Sequence, residues 1–343
     1  MPLTPRHAWF LAATLTLSLP MEAPGGDFLF QWDNDKIADT DRHYTNGMRL
    51  SYVPDEPWRE ITDASRWLAR TTWFWNPQGA RPGFVMGQDM YTPEDVDAKI
   101  PDPRDRPYAG WSYIGLTVQN EVDQGLWGLD QLDTLEIDIG IVGPEARAGE
   151  TQNWFHRQIN VSESQGWDSQ IGTEPGLLIS RTVKLRAPLW EPFGRDEDGN
   201  WGAFDAIPHA TAQLGNIKIG AAMGGTLRFG GNLKEDFGPI YGTFALPRHR
   251  PQKTTWSLYM GAEVRAVGRD IFLDGNTFKD SPDVKRNPFV LEHRAGIATH
   301  VPLPEDWSVT GVRLDISHVM RTREFETQDK ADRYGSLRIG VNF

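Results

Sequence analysis

The segment Glu150-Thr151-Gln152-Asn153-Trp154-Phe155-His156-Arg157 sets Gln152 and His156 four residues apart, so in a helix both leave from one face. Histidine is the side chain whose ordinary pKa lies nearest neutrality, and it can take a proton from a water that attacks an ester. Such a reaction also needs positive charge where the oxyanion develops. Asn34-Asp35 and Thr45 are oxygen donors, a set that suits a hard ion such as calcium rather than zinc. Lys99, in another segment, is a second cationic candidate, although any loop lysine could serve as well.

Each of these residues has a plainer reading. A lone loop histidine is usually only solvated. Asn34 and Asp35 are neighbours, so in a regular strand they face opposite ways and serve one site only where the strand ends or bulges. Asn46-Gly47 reads as a hairpin turn. Thr45, however, shares parity with Arg49 and Ser51, which face inward if Met48, Leu50 and Tyr52 face outward; that parity predicts an inward Thr45 close to Asp35. His43 reads as a surface loop residue, and Asp105-Arg106 as a buried ion pair anchoring its loop.

The elements that must hold these residues are strands. Leu135, Ile137, Ile139 and Ile141 alternate with Glu136, Asp138 and Gly140, and the same period of two recurs through Trp256–Val264, Val312–Ile316 and Leu337–Phe343. Counting predicts twelve strands near 27–35, 44–53, 83–91, 109–121, 132–143, 175–186, 202–213, 217–230, 255–267, 288–301, 307–321 and 333–343. Their length, the charged and glycine-rich second face and tryptophans such as Trp111, Trp256 and Trp307 at strand ends point to an all-β, twelve-stranded antiparallel transmembrane barrel. An even count puts both termini at one end. Asn34-Asp35, Thr45, Lys99 and the Gln152–His156 helix then fall together at the other, extracellular rim. The turn at Leu214-Gly215-Asn216 also lies there, and an amphipathic helix over 61–68 is expected at the inner surface.

Residues 1–24 have a basic start, a twelve-residue apolar run from Ala8 to Leu19 and a small-residue end, the pattern of a secretory signal peptide; 25–343 would be the barrel. The 343-residue chain has no cysteine, which removes disulfides, thiolate metal sites and thiol nucleophiles. Its net charge of −12 argues against a nucleic-acid partner.

On these residues the chain resembles the outer-membrane lipid A 3′-O-deacylases. The shared features are Asn34-Asp35, Tyr44-Thr45-x-Gly47, Gln88-Asp89-x-Tyr91-x-Pro93, Gly143-Pro144 and Glu150-x-Gln152-Asn153-x-x-His156-Arg157, in the same order along the mature chain. The resemblance implies a calcium-dependent ester hydrolase that removes the 3′-linked acyloxyacyl chain of lipid A, working as secreted phospholipases A2 do. His156 would be the base, with Gln152, Asn34, Asp35 and Thr45 in the site and Lys99 nearest to the family's lysine. Asn34, Asp35 and Thr45 would hold Ca2+, with Glu163 beside Ser162, where the family has an acidic residue. Lipopolysaccharide would be the substrate, and a monomer in the outer membrane is expected. The competing readings are a passive pore or structural barrel, which predicts an open lumen, and an outer-membrane phospholipase with a serine nucleophile. The latter lacks support because no His-x-Ser-x-Asn-Gly element is present.

Overall fold

Alternating apolar and polar side chains become a closed sheet in the computed structural model, which describes residues 25–35, 43–74, 76–192, 202–239, 251–304 and 306–343. The signal-peptide expectation for 1–24 lies outside the described residues. The strands are β1 (Gly26–Asn34), β2 (His43–Pro54), β3 (Arg81–Thr92), β4 (Ala109–Val122), β5 (Asp130–Val142), β6 (Glu174–Arg186), β7 (Ala203–Gly215), β8 (Lys218–Gly231), β9 (Thr255–Asp270), β10 (Phe289–Pro302), β11 (Gly311–Arg321) and β12 (Asp332–Asn342). Each pairs antiparallel with its sequence neighbour, and β1 closes on β12 from Asp27↔Asn342 to Asn34↔Gly335. Closure leaves no strand edge unpaired. The expected boundaries hold within three residues except at the start of β11, where residues 306–310 are not in the strand.

The two faces differ as a membrane barrel requires. Ile114, Ile139, Met223, Leu227, Met260 and Ile297 stand exposed on the outer wall, an apolar belt that water would not tolerate at this size. The inner face is a packed polar core. Arg228 meets Asp205 at 2.5 Å and also Asp236, Arg321 meets Glu292 at 2.9 Å, and Arg49 meets Glu136 at 2.5 Å. Buried charges persist when paired and hydrogen-bonded in this way.

Two helices of more than ten residues leave the sheet among the described residues. At the rim that holds the termini, α1 (Arg59–Thr71) is longer than the expected 61–68 and packs on the outer wall. At the opposite rim, the loop after β5 contains α2 (Ala148–Gln158), the helix expected from the Gln152–His156 spacing. Glu150 in its first turn and His156 and Arg157 in its last complement the helix dipole. Other expectations need correction. Trp111 is not an interfacial anchor: it is 2 % exposed and stacks on Tyr113 inside the barrel. Trp307 lies in the β10–β11 loop rather than at a strand end, and β7 runs on through Gly215, leaving Asn216 and Ile217 as the turn.

Candidate active site

β1 stops at Asn34, so Asp35 turns out of the strand and the two neighbours need not face opposite ways. Both are buried, as is Thr45. The Asn34 side-chain amide donates to the Thr45 carbonyl at 3.2 Å, which ties the end of β1 to β2. The inward parity expected for Thr45 is wrong, because a bulge interrupts the β2–β3 register between Tyr44 and Asn46. The extra residue turns Tyr44 inward, where its hydroxyl donates toward Asp33 and Asp89 at 3.3 Å each. Thr45 instead meets the Thr92 hydroxyl at 2.7 Å, on the outward side that β3 also lines with Gln88 and Met90. A bulge re-aims side chains in just this manner.

Helix α2 is seated on that outer wall. The Ala146 carbonyl accepts from Gln88 Nε2 at 2.6 Å and from Ser112 Oγ at 2.8 Å. A Cβ at Gly110 would stand 2.5 Å from the Ala148 methyl, so the wall admits the helix only because position 110 is glycine. Met48, Met90, Tyr108, Ala148 and Trp167 pack the contact, and Phe155 meets Trp32, two residues before Asn34, at 6.2 Å. Gln152 and His156, 3 % and 2 % exposed, share the buried face of α2. The Trp167 indole donates to Gln152 Oε1 at 2.7 Å, which fixes the amide orientation and leaves Gln152 Nε2 buried without a hydrogen-bond partner. His156 Nδ1 lies 2.7 Å from the Ser162 carbonyl. A carbonyl only accepts, so Nδ1 carries a proton and the neutral ring has its lone pair on Nε2. Asn153 holds the same turn, accepting from Ser164 N at 2.9 Å and donating to its carbonyl at 3.3 Å.

Below α2 an apolar groove of about 630 Å³ runs down the outer wall. Phe30, Met48, Leu50, Met86, Ile114, Ile139 and Ile141 line it, and Gln88 and Ser112, the two residues that hold the Ala146 carbonyl, form its upper end. The helix that carries buried His156, the Asn34–Thr45 contact and a lipid-facing groove therefore all lie on the outside of the barrel toward the same rim.

The family model described as outer membrane protein LpxR matches residues 8–343. The chain belongs to the LpxR family. Among solved structures, LpxR from Salmonella typhimurium has the same fold, with a TM-score of 0.72 at 20 % identity, over 92 % of this chain and 100 % of that one. The β domain of the Bordetella autotransporter BrkA matches less well, with a TM-score of 0.41 at 10 % identity over 94 % and 100 % of the two chains. No curated protein sequence matches the chain. Membership in the LpxR family makes this an outer-membrane β-barrel.

In this LpxR-family chain the remaining expected residues separate. Lys99 is exposed on the loop between β3 and β4, and that loop is tied to the α2 turn where Gln165 N donates to the Val96 carbonyl at 2.9 Å. Glu163 does not join the oxygen donors: it pairs with Arg157 at 3.1 Å on the surface, and the position facing His156 is the backbone carbonyl of Ser162. Among the described residues no three carboxylate or imidazole groups converge as a metal cage. Asn34, Asp35 and Thr45 still fit calcium by chemistry, since every candidate donor is an amide, carboxylate, hydroxyl or backbone oxygen.

Two residues were misread from the sequence. His43 is buried, with Asp332 2.7 Å from Nδ1 and Asp105 3.3 Å from Nε2. Arg106, fully buried, pairs with Glu324 at 3.2 Å rather than with Asp105. Burial opposes ionisation of Asp105, but His43 and the amides of Glu94 and Arg106 hold it below the usual carboxylate range. Burial likewise opposes ionisation of Glu324, and Arg321 and Arg106 outweigh it, holding this carboxyl at about 2. Nothing in the local sequence joins His43 to Asp332 or Arg106 to Glu324, because barrel closure and loop packing bring them together.

Proposed function

We propose that this protein is a calcium-dependent lipid A 3′-O-deacylase, hydrolysing the ester of the 3′-linked acyloxyacyl chain with its site at the cell exterior. The observation that carries the reading is the setting of His156: buried, held by a carbonyl through Nδ1, and carried by a helix seated on the outer wall, whose N-terminal end meets the top of an apolar groove at Gln88 and Ser112. An enzyme for a water-soluble ester has no use for a base on the lipid side of a barrel. A lipid ester reaches that position by lateral diffusion, its sugar at the rim and its acyl chain along Phe30, Met86 and Ile114.

His156 Nε2 takes a proton from water as the water adds to the ester carbonyl, then returns it to the departing sugar oxygen. The Ser162 carbonyl keeps the ring in the required tautomer and favours the imidazolium that forms. Gln152 Nε2 is a buried donor available to an incoming oxygen. Calcium held by Asn34, Asp35 and Thr45 would supply positive charge for the developing oxyanion. Lys99, exposed on the loop between β3 and β4, is assigned to the anionic sugar phosphates. Even strand number and shared terminal rim support the outward orientation.

The test is refolded protein incubated with purified lipid A, with calcium or with excess chelator, and followed by mass spectrometry. Loss of one acyloxyacyl unit from the 3′ position, with calcium only and absent in His156→Ala, is the expected result. An unchanged mass under every condition would overturn the deacylase reading.

A further inference from the structure

The segment between β2 and β3 leaves the terminal rim and doubles back along the outside of the wall. Leu68, Ala69, Phe74 and Ala80 pack against Val118 and Leu135, with Leu116, Ile137 and Ile179 beside them, all outward-facing positions of β4, β5 and β6. Polar contacts fasten the same strap. Arg181 donates to the carbonyls of Thr72 and Trp73 and pairs with Asp133 at 3.1 Å, and Asn120 donates to the Asn76 carbonyl at 2.6 Å. An arginine–aspartate pair facing lipid is costly unless covered, and the strap covers this one. The segment therefore belongs on the membrane side of the barrel, directly beneath the apolar belt.

With its packing face used, α1 turns Trp67 away from the wall at 62 % exposure, next to exposed Ala64 and Thr71. Trp58 before the helix is 73 % exposed and Trp73 after it 85 %. Three indoles this exposed, one on the helix and one at each flank, are not packed into the protein. Trp127, Trp190 and Trp307 are also exposed at this rim, whereas Trp154 is the one exposed tryptophan at the other rim among the described residues. The charges on α1 nearly cancel: Asp63 lies 3.7 Å from Arg59 and 3.8 Å from Arg66, with Glu60 and Arg70 beside them. Indoles with balanced charge suit the headgroup–acyl boundary of a phospholipid leaflet, where an amphipathic ring is half wet and half dry.

We infer that α1, with residues 72–74 and 76–80, forms an external anchor, embedded in the phospholipid boundary of the leaflet at the terminal rim through Trp58, Trp67 and Trp73. The anchor sits on the sector of the wall that carries the groove and α2 at its other end, so it sets the depth of that sector in the bilayer. The inference stands apart from the proposed reaction.

The chain has no cysteine, so Ala64→Cys or Thr71→Cys gives a single thiol on the face of Trp67. Each variant would carry a fluorophore and be reconstituted in phosphatidylcholine vesicles with a shallow doxyl lipid, with a chain-end doxyl lipid, or with iodide on both sides. Expected is quenching greatest with the shallow lipid and weak with iodide, shifting toward iodide when Trp58, Trp67 and Trp73 are all replaced by alanine. Quenching chiefly by iodide in the parent would overturn the anchor. So would protection from all three quenchers with self-quenching between labels, which would show a second copy on this face. Heat-modifiable gel mobility verifies that each barrel is folded.

Discussion

The hydrogen bond from His156 Nδ1 ends on a backbone oxygen, and that choice has consequences for the proposed base. A carbonyl cannot change its charge with pH or be lost by substitution, so the ring orientation depends on the turn that presents Ser162. Asn153 holds that turn through both hydrogen bonds to Ser164. Asn153→Ala should lower kcat by about ten-fold or more while leaving KM little changed, since a misplaced base costs rate before it costs binding; steady-state kinetics on lipid A vesicles would check it. Glu324 gives a pH dependence of a different kind. Its carboxyl is held at about 2 against an ordinary 4.5, so its contribution to loop docking is present above 4.5 and lost as the pH falls through about 2. Hydrogen exchange in the loop before β4 should stay slow down to about pH 3 and rise below pH 2. At this scale the sequence was informative where residue type carries the signal, as with Gln152 and His156. It was silent on the Ser162 carbonyl, because a backbone group has no letter of its own.

Elements decide whether those residues meet. Helix α2 rests on β4 through the Gly110–Ala148 contact, so Gly110→Leu must push the helix off the wall. Activity should fall by about 100-fold with the barrel still folded, measured as turnover beside heat-modifiable mobility. The groove makes a separate prediction. Ile114→Trp places bulk where the acyl chain is assigned, so turnover of long-chain substrate should drop while a short-chain soluble ester is cleaved as before. Twelve strands were legible because period-two alternation is a property of every residue in them. The outward location of Thr45 was not. One inserted residue in β2 reverses parity beyond it, and a bulge between Tyr44 and Asn46 has no composition that distinguishes it from a regular strand. α1 was seen as an amphipathic helix, yet its docking on β4 to β6 depends on contacts far away in the chain.

For the whole molecule, the lumen separates the enzyme reading from a pore. The charged inner faces meet across the barrel as ion pairs, Arg49 with Glu136 and Arg313 with Asp236, and a cavity of about 230 Å³ lies beside Asp89, Lys218 and Arg321. Near the terminal rim, Lys184 donates to the carbonyls of Phe237 and Pro239, and Arg228 binds the Leu233 carbonyl, so residues 233–239 after β8 fold into the bore. Reconstituted protein in a planar bilayer should conduct no more than the lipid alone; steady open-channel current would revive the pore. The seam of the barrel carries a last consequence. β1 pairs with β12 along eight residues, and these are the two strands farthest apart in the chain. Asn34, at the candidate site, is paired with Gly335 across that seam. During synthesis the first strand waits for the last, so the cylinder cannot shut until nearly the whole polypeptide has been delivered. Until then two ladders of backbone donors and acceptors stay open to other chains. The long-range seam is thus the slow and vulnerable step of assembly, and the rim that would carry catalysis is finished only when the seam zips.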